Sequence, residues 1–298
     1  MPRITEGSAS AAAGNVKQAL HYTEQVSDFT PFRSSIQSVD NLYGPAGRLE
    51  AILNTGRADA PYSALVAHPH PPSGGTMHHK VVYHATKTFS SFGLPVLRFN
   101  FRGTGLSQGE HDHGYGEVDD IRAGLDWLTA TYGRPVLFAG FSFGANVGLR
   151  ACCGDARVQG LIALGLPLVQ PEIAVAMAKA LQAGSAPGET PNDAQATGNS
   201  GVNAAARAPR RTFSYRFLPA CGGVPKLFVS GDQDAFCPQG VLESTLVQAP
   251  EPKKVVWVAG ADHFFAGTGA VPGSQSPDSK LGVMSETVRA WLAETFLL

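Results

Sequence analysis

The stretch PVLFAGFSFGANVGLRACC, residues 135–153, decides the fold of this chain. Its first six residues form an apolar run of strand length, and its second half places Gly144 and Gly148 about one helical turn apart. Ser142 stands at the junction, in the centre of the pattern GFSFG. Glycines on both sides of a serine are typical of a sharp turn, because a Cβ at those positions would clash. The stretch therefore predicts a buried strand, a tight turn at Ser142 and a helix.

Outward from this stretch, apolar runs of strand length alternate with helical patterns. Strands are predicted near residues 49–53, 64–67, 96–99, 136–141, 160–164, 226–230 and 255–258, and helices near 77–92, 118–132, 143–152, 238–247 and 281–296. Alternation of this kind is typical of a mostly parallel sheet that helices cover on both faces. These seven runs predict an α/β fold, and we expect about eight strands in its sheet.

Two segments differ from the rest in composition. Residues 1–35 are small and polar, with SASAAAGN at their centre, and are predicted to form a flexible N-terminal arm. Residues 183–211 are rich in Ala, Gly, Pro, Ser and Asn and almost lack large apolar side chains, so they cannot fill a core. We predict one domain over residues 36–298, with a disordered insertion at 183–211 that follows a short helix at 171–181.

Charge and hydropathy exclude several classes of protein. The formal net charge is −1 at pH 7, and no basic run with interleaved aromatic residues occurs, so nucleic acid is not an expected partner. The longest strongly apolar stretches, such as residues 161–169, are far shorter than the roughly 20 residues that a membrane-spanning helix needs. No apolar segment that resembles a secretion signal occurs in the first 30 residues, so we expect a cytoplasmic protein.

The four cysteines do not form a recognisable framework. Cys152 and Cys153 are adjacent, and Cys221 and Cys237 lie far along the chain. This spacing fits neither a disulfide-rich scaffold nor a Cys-x-x-Cys metal site, so reduced, buried thiols are predicted.

Ser142 is the candidate nucleophile. The pattern Gly-x-Ser-x-Gly also occurs around Ser107, but polar, turn-forming residues flank that serine, which predicts an ordinary loop position. A serine hydroxyl needs a base to remove its proton, and the base needs a carboxylate to orient it. His263 is the only histidine after Ser142, and it lies in the loop VAGADHFFAG behind an apolar run. It is therefore the predicted base.

The acid is expected at the end of the preceding strand, in KLFVSGDQDAFCP, where Asp232 and Asp234 both occur. The spacing from Gly231 through Asp234 to Pro238 fits a Gly-x-x-Asp-x-x-x-Pro acid turn, which favours Asp234 and leaves Asp232 as a turn residue. Asp262 directly precedes the histidine, so its side chain is expected to diverge from it.

Two backbone N–H groups are predicted to stabilise the oxyanion that acyl attack creates. The first belongs to Phe143, directly after the nucleophile. The second is expected in the loop HPHPPSGGTMHHK that follows a predicted strand, and it belongs to His70 if His68-Pro69-His70 stands where many enzymes with such a serine turn have His-Gly-x. The prolines at 69 and 71 cannot donate, and they stiffen this loop.

Seven of the nine histidines lie between residues 68 and 113, so a metal site has to be considered. His68, His70, His78 and His79 could supply nitrogen ligands, but no carboxylate or thiol is interleaved and no HExxH spacing occurs. The favoured interpretation is no metal: two of these histidines orient the loop and the other two start a helix. His111 and His113 could line the mouth of the site, but solvated loop positions are the favoured interpretation.

Six segments together carry a resemblance. They are HPHPPSGGTMHHKVV at 68–82, LRFNFRGTGLSQG at 97–109, GEVDD at 116–120, AGFSFGA at 139–145, SGDQDAFCP at 230–238 and GADHFF at 260–265. With the order Ser, Asp, His, the chain resembles the α/β-hydrolase superfamily over residues 36–298. It is most similar to the small, minimally capped, dienelactone-hydrolase-like group of predicted bacterial serine hydrolases. True dienelactone hydrolases use a cysteine nucleophile, so lactone chemistry does not transfer.

The resemblance implies a serine hydrolase of carboxylic esters or related acyl compounds that uses Ser142, His263 and Asp234, forms an acyl-enzyme and needs no cofactor. The expected partner is a small-molecule acyl substrate, and a homo-oligomer is compatible with the sequence. Acyl transfer or perhydrolysis at the same site, or a non-catalytic binding role, are the alternatives.

Overall fold

Eight strands form one sheet in the computed structural model, which describes residues 34–170, 213–267 and 279–298. The strands are β1 Ile36–Val39, β4 Ala51–Asn54, β5 Ser63–Ala67, β6 Val96–Phe99, β7 Val136–Phe141, β8 Val158–Leu164, β9 Lys226–Gly231 and β10 Lys253–Val258, and a separate hairpin pairs β2 Tyr43–Gly44 with β3 Gly47–Arg48. Their order is β1-β4-β6-β5-β7-β8-β9-β10. Pairing is antiparallel from β1 to β4 and from β4 to β6, and parallel elsewhere, which confirms the predicted mostly parallel sheet.

Five α-helices pack on the two faces of the sheet within the described ranges. They are α1 Lys80–Ser91, α2 Glu117–Tyr132, α3 Phe143–Cys152, α4 Gln239–Leu246 and α5 Lys280–Phe296, with 3₁₀ turns at Pro71–Ser73 and Leu218–Cys221. The buried side chains of α2, α3 and α4 belong to one apolar cluster, and those of α1 and α5 belong to another. The two clusters lie on opposite faces of the sheet, as the sequence predicted.

Strand β7 shows why the central strands read as unbroken apolar runs. Val136 and Phe138 pack into the cluster with α2 and α3, whereas Leu137, Ala139 and Phe141 pack into the cluster with α1. Successive side chains of a strand point to opposite faces, so a strand that is covered on both sides has no polar positions. Each large apolar side chain buried in this way contributes about 1.5–3 kcal/mol.

The edge strand β1, the hairpin of β2 and β3 and the start of α1 differ from the prediction. Strand β1 was not predicted, because it is an edge strand with three exposed residues and a sequence, IQSV, that lacks an apolar run. Helix α1 begins three residues later than the predicted start at Met77. That residue is buried before the helix, and the side chain of His79 caps the helix by accepting the N–H of Val81.

The prediction of four reduced thiols is wrong for one pair. Cys153, directly after α3, forms a disulfide with Cys221 in the second 3₁₀ turn. The two residues are 68 positions apart in sequence, and their Cα atoms lie 4.0 Å apart in the fold. Spacing along the chain cannot reveal such a pair. Cys152 and Cys237 are free and buried.

Three predicted segments fall largely or wholly outside the described residues. These are the N-terminal arm up to residue 33, the short helix at 171–181 and the insertion at 183–211. The described residues belong to one compact unit, Phe32–Leu298.

Candidate active site

Ser142 occupies the turn between β7 and α3 with φ 53° and ψ −118°. An L-residue seldom adopts this conformation, and it persists only where the surroundings impose it. The neighbouring glycines explain how they do so. A Cβ on Gly140 would lie 2.5 Å from the carbonyl oxygen of Gly144, and a Cβ on Gly144 would lie 2.5 Å from that of His68. The close packing of strand, turn and helix thus depends on the GFSFG sequence.

The structure brings Ser142, His263 and Asp234 together from three separate loops at the carboxyl edge of the sheet. His263 Nε2 lies 2.9 Å from Ser142 Oγ, and His263 Nδ1 lies 2.8 Å from Asp234 Oδ2. The Asp234 side chain is fully buried, and its other oxygen accepts the backbone N–H of Phe236 at 2.8 Å.

This arrangement fixes the proton positions. An ionised carboxylate only accepts hydrogen bonds, so His263 Nδ1 carries the proton that faces Asp234. Nε2 is then left as an acceptor for the hydroxyl of Ser142. The geometry is that of a hydroxyl paired with a base whose tautomer is held by an acid.

The other two aspartates near His263 accept hydrogen bonds from backbone N–H groups. Asp232 Oδ1 accepts the N–H of Gly260 at 2.7 Å, and Asp262 Oδ1 accepts the N–H groups of Phe264 and Ala266 at 2.9 and 2.8 Å. Both carboxylates therefore shape the loop that carries the histidine. Neither accepts a hydrogen bond from the ring of His263.

Phe143 and His70 present their backbone N–H groups without a described acceptor. Among the described residues, no carbonyl or side chain accepts a hydrogen bond from either group, although the carbonyl of His70 accepts from Ser73 and Gly75. Both residues line the same cavity as Ser142. Their N–H groups are therefore available to an oxygen bound there.

Ser142 and His263 border a cavity of about 490 Å³. Its apolar lining consists mainly of Phe143, Phe213, Phe236, Phe264, Pro69, Pro167 and Val169. Besides Ser142 and His263, its polar lining includes Asn146, Gln170, Ser73 and four further histidines, at 70, 79, 111 and 113. In the described part of the chain, no lysine, arginine, aspartate or glutamate contributes to this lining.

The histidines of the loop after β5 have structural partners. His68 is completely buried; Phe101 N–H bonds to its Nε2 at 2.9 Å, and its Nδ1 lies 2.7 Å from the carbonyl of Pro69. Burial lowers the pKa of His68 to about 3. Nδ1 of His70 lies 2.9 Å from the hydroxyl of Ser73, and burial lowers the pKa of His70 as well. Within the described ranges, no group of three or more potential ligands is arranged to hold a metal ion.

His111 is more buried than a solvated loop histidine. Its side chain is 14% exposed and lines the cavity, and its Nδ1 lies 2.7 Å from Oε1 of the fully buried Glu117. The favoured prediction of a solvated loop position is therefore wrong for His111, and the sequence did not single out Glu117. The segment GEVDD carried Glu117 only as part of the resemblance.

Ser107, the serine of the second Gly-x-Ser-x-Gly pattern, does not line the cavity. It is buried, donates to the carbonyl of Asn100 at 2.6 Å and accepts the N–H of Glu50 at 2.9 Å. It joins two loops, in keeping with the predicted structural role.

Comparison with solved structures gives nearly full-length matches. An α/β serine hydrolase homologue from Coxiella burnetii is 27% identical with a TM-score of 0.60, and the match covers 87% of this chain and 97% of that one. XC6422 from Xanthomonas campestris, an α/β serine hydrolase without a lid, is 26% identical with a TM-score of 0.59, covering 89% and 95%. The chain has the α/β-hydrolase fold.

Among curated proteins, the chain matches an uncharacterized protein of Rickettsia prowazekii, with 42% identity over 127 residues, or 42% of the chain. The matched region spans 53% of that relative's length. No family model matches the chain. In the described residues of the chain, no helix combines the length and the apolar character needed to cross a membrane.

Proposed function

We propose that this hydrolase cleaves carboxylic esters through an acyl-enzyme on Ser142, with His263 as general base and Asp234 as the acid that orients it. The observation that carries the proposal is the continuous hydrogen-bonded chain from Asp234 through His263 to Ser142, with the serine in its forced backbone conformation.

In the acylation step, Ser142 Oγ attacks the ester carbonyl carbon while its proton passes to His263 Nε2. The carbonyl oxygen becomes an oxyanion, which accepts hydrogen bonds from the N–H groups of Phe143 and His70 in the proposed mechanism. When the tetrahedral intermediate collapses, the bond to the alcohol oxygen breaks. The alcohol leaves with the proton from His263, and the acyl group stays on Ser142.

Deacylation repeats these steps with water. His263 Nε2 removes a proton from the water that attacks the acyl carbon, and the second tetrahedral intermediate releases the carboxylic acid and returns the proton to Ser142 Oγ. Asp234 keeps its charge throughout, because its role is to stabilise the imidazolium that forms twice per cycle.

A serine nucleophile is also favoured over a thiol. Cys237 follows Asp234 by three residues, but burial raises the pKa of its thiol to about 12. Burial likewise raises the pKa of Cys152. Since the thiolate is the reactive form of cysteine, neither group can act as the nucleophile at neutral pH.

The lining of the cavity supports a neutral substrate. Among the described residues that line it, the ionisable side chains are histidines, and burial lowers the pKa of two of them, His70 and His79. Against this described lining, a charged substrate would lose its hydration without gaining a fixed counter-charge, which is costly. Esters are favoured over amides, because an alkoxide leaves with less help from the acid than an amine needs.

A fluorophosphonate probe tests the proposal. We expect one covalent adduct on Ser142 in the wild-type protein, found by mass spectrometry of peptides. The Ser142→Ala variant should give no adduct and lose hydrolysis of short 4-nitrophenyl esters by at least about 10³-fold. Ser107→Ala is the matched control, since it removes the serine of the second motif, and it should label like the wild type. An adduct on another residue, or none on folded protein, would contradict the proposal.

A further inference from the structure

His79 has a fixed tautomer. Its Nδ1 accepts the N–H of Val81 at 3.3 Å and caps α1. A ring nitrogen that accepts a hydrogen bond carries no proton, so the neutral ring carries its proton on Nε2. Burial, helped by the charge of Lys80 and by His263, lowers the pKa of His79 to about 4, and the ring is therefore neutral at pH 7. No described residue accepts a hydrogen bond from Nε2, while His79 lines the cavity.

The aromatic contacts of His79 place it beside the proposed base. Its ring stacks on Phe141 with 5.1 Å between centroids and a 23° angle, and lies 6.0 Å from the ring of Phe264. The same two phenylalanines contact His263, with centroid distances of 5.3 and 5.2 Å. His79 and His263 thus share the same two neighbours.

The proposed oxyanion donors have different neighbours. The rings of Phe143 and His70 contact each other at 5.4 Å, and both contact His111, at 5.6 and 5.2 Å. The contacts therefore divide the cavity lining into a group around the base and a group around the oxyanion donors.

In the proposed mechanism, the alcohol portion of the ester must lie next to the base, His263. His263 Nε2 must deliver its proton to the alcohol oxygen, so the alcohol portion of the ester lies against His263 when the tetrahedral intermediate collapses. We infer that the Nε2–H of His79 donates a hydrogen bond to a second oxygen in this alcohol portion. The hydrolase would thereby prefer esters of alcohols that carry an ether or hydroxyl oxygen over esters of plain alkyl alcohols. This inference rests on the proposed function.

Two esters of equal length test the inference. Pentyl butanoate and 2-ethoxyethyl butanoate have the same acyl group, and their alcohol portions differ by one CH₂ replaced by oxygen. They form the same acyl-enzyme, so a difference in kcat/KM reports only on the alcohol portion. One net hydrogen bond corresponds to about two- to tenfold, and we expect the wild type to favour the ether by that factor.

Three variants assign the preference to His79. His79→Ser keeps a side-chain oxygen that can cap α1 but removes the Nε2–H donor, so the ratio of the two kcat/KM values should fall to about 1. His79→Asn keeps both a capping oxygen and an N–H donor and should retain part of the preference. His78→Ser changes the exposed neighbouring histidine and should give the wild-type ratio.

The outcomes separate this inference from the proposed function. Equal kcat/KM values for the two esters in the wild type, or an unchanged ratio in His79→Ser, would overturn the role of His79 while ester hydrolysis stands. If the wild type hydrolyses neither ester and takes up no fluorophosphonate, the proposed function itself fails. A ratio near 1 in His79→Ser with a partial preference in His79→Asn supports the hydrogen bond from His79.

Discussion

Two histidines that line the cavity, His263 and His111, each lie against a buried carboxylate, but only His263 has the geometry that the proposed mechanism requires. Asp234 and Glu117 are both fully buried, and their oxygens lie 2.8 and 2.7 Å from Nδ1 of His263 and His111. The contact of His263 is a hydrogen bond. In contrast, neither ring nitrogen of His111 has a hydrogen-bond partner of acceptable angle among the described residues.

The two carboxylates accept hydrogen bonds from different groups. One oxygen of Asp234 accepts a backbone N–H, and the other accepts a hydrogen bond from His263. Both oxygens of Glu117 accept backbone hydrogen bonds: Oε1 accepts the N–H of Asp112 and Oε2 accepts the N–H of Gly114, each at 2.8 Å. A short distance between a carboxylate and an imidazole therefore does not define a catalytic pair. The carboxylate must also have an oxygen free to orient the ring, and the ring must face a nucleophile.

The largest effect is expected when the first pair is broken. Asp234→Asn can keep the bond to the N–H of Phe236, but its amide no longer holds the proton of His263 on Nδ1 or stabilises the imidazolium. We expect kcat for a 4-nitrophenyl ester to fall by about 10³- to 10⁴-fold. Steady-state kinetics measure this, and near-ultraviolet circular dichroism checks that the variant is folded. A fall of less than tenfold would remove Asp234 from the proposed mechanism.

Breaking the second pair should lower the stability of the protein and leave kcat almost unchanged. Glu117→Gln keeps the shape of the side chain but loses the charge, and its NH₂ group would face a backbone N–H of the loop at residues 112–114. Hydrogen bonds to a charged group contribute about 1.5–3 kcal/mol each, so we expect the free energy of unfolding to fall by about 3 kcal/mol. Urea denaturation measures this change.

The kinetics of Glu117→Gln show whether Glu117 has a structural or a catalytic role. We expect kcat to stay within about tenfold of the wild type, because Ser142 and its partners are untouched. The reverse result, a loss of kcat near 10³-fold with unchanged stability, would mean that the pair formed by Glu117 and His111 acts in catalysis. Our distinction between the two pairs would then be wrong.

The sequence pointed to the first pair and not to the second for a physical reason. His263 has no competitor after Ser142, and Asp234 lies in a turn with a recognisable spacing. Glu117 and His111 lie in GEHDHGYGE, whose composition indicates a solvated turn. His111 packs against His70 of the loop after β5 and Phe143 of α3, and no local pattern encodes these contacts.

The fold was easier to predict than the contacts between its loops. Buried strands such as β7 carry their signal in their own residues, whereas the edge strand β1 and the disulfide from Cys153 to Cys221 depend on partners far along the chain. His79 is a similar case. Helix caps are usually Ser, Thr, Asp or Asn, so a capping histidine with a fixed tautomer is not an expected reading of the sequence.

His68 is a buried imidazole whose described hydrogen-bond partners are backbone groups and include no carboxylate. With its pKa near 3, the native protein takes up a proton at His68 much less readily than the unfolded chain, whose histidines titrate near 6.5. Stability from this group is therefore complete above about pH 6.5 and decreases as the pH falls toward 3. Between pH 7 and pH 5 the loss amounts to about 2 kcal/mol.

The variant His68→Gln isolates this contribution. It is less stable at every pH, but the decrease in its free energy of unfolding between pH 7 and pH 5 should be smaller than that of the wild type by about 2 kcal/mol. Urea denaturation at several pH values measures both slopes. Parallel pH profiles for the two proteins would show that His68 can be protonated in the native state.

The smallest effect is expected at Asp232, which lies in the same loop as Asp234. Asp232 and Asp234 are two residues apart, yet the first is exposed and bonds only the N–H of Gly260, while the second is buried against His263. Asp232→Ala should therefore lower the free energy of unfolding by about 0.5–1 kcal/mol and kcat by less than tenfold. If Asp232→Ala instead lost as much activity as Asp234→Asn, the carboxylate that orients His263 during turnover would be Asp232, and the loop would have to rearrange on substrate binding.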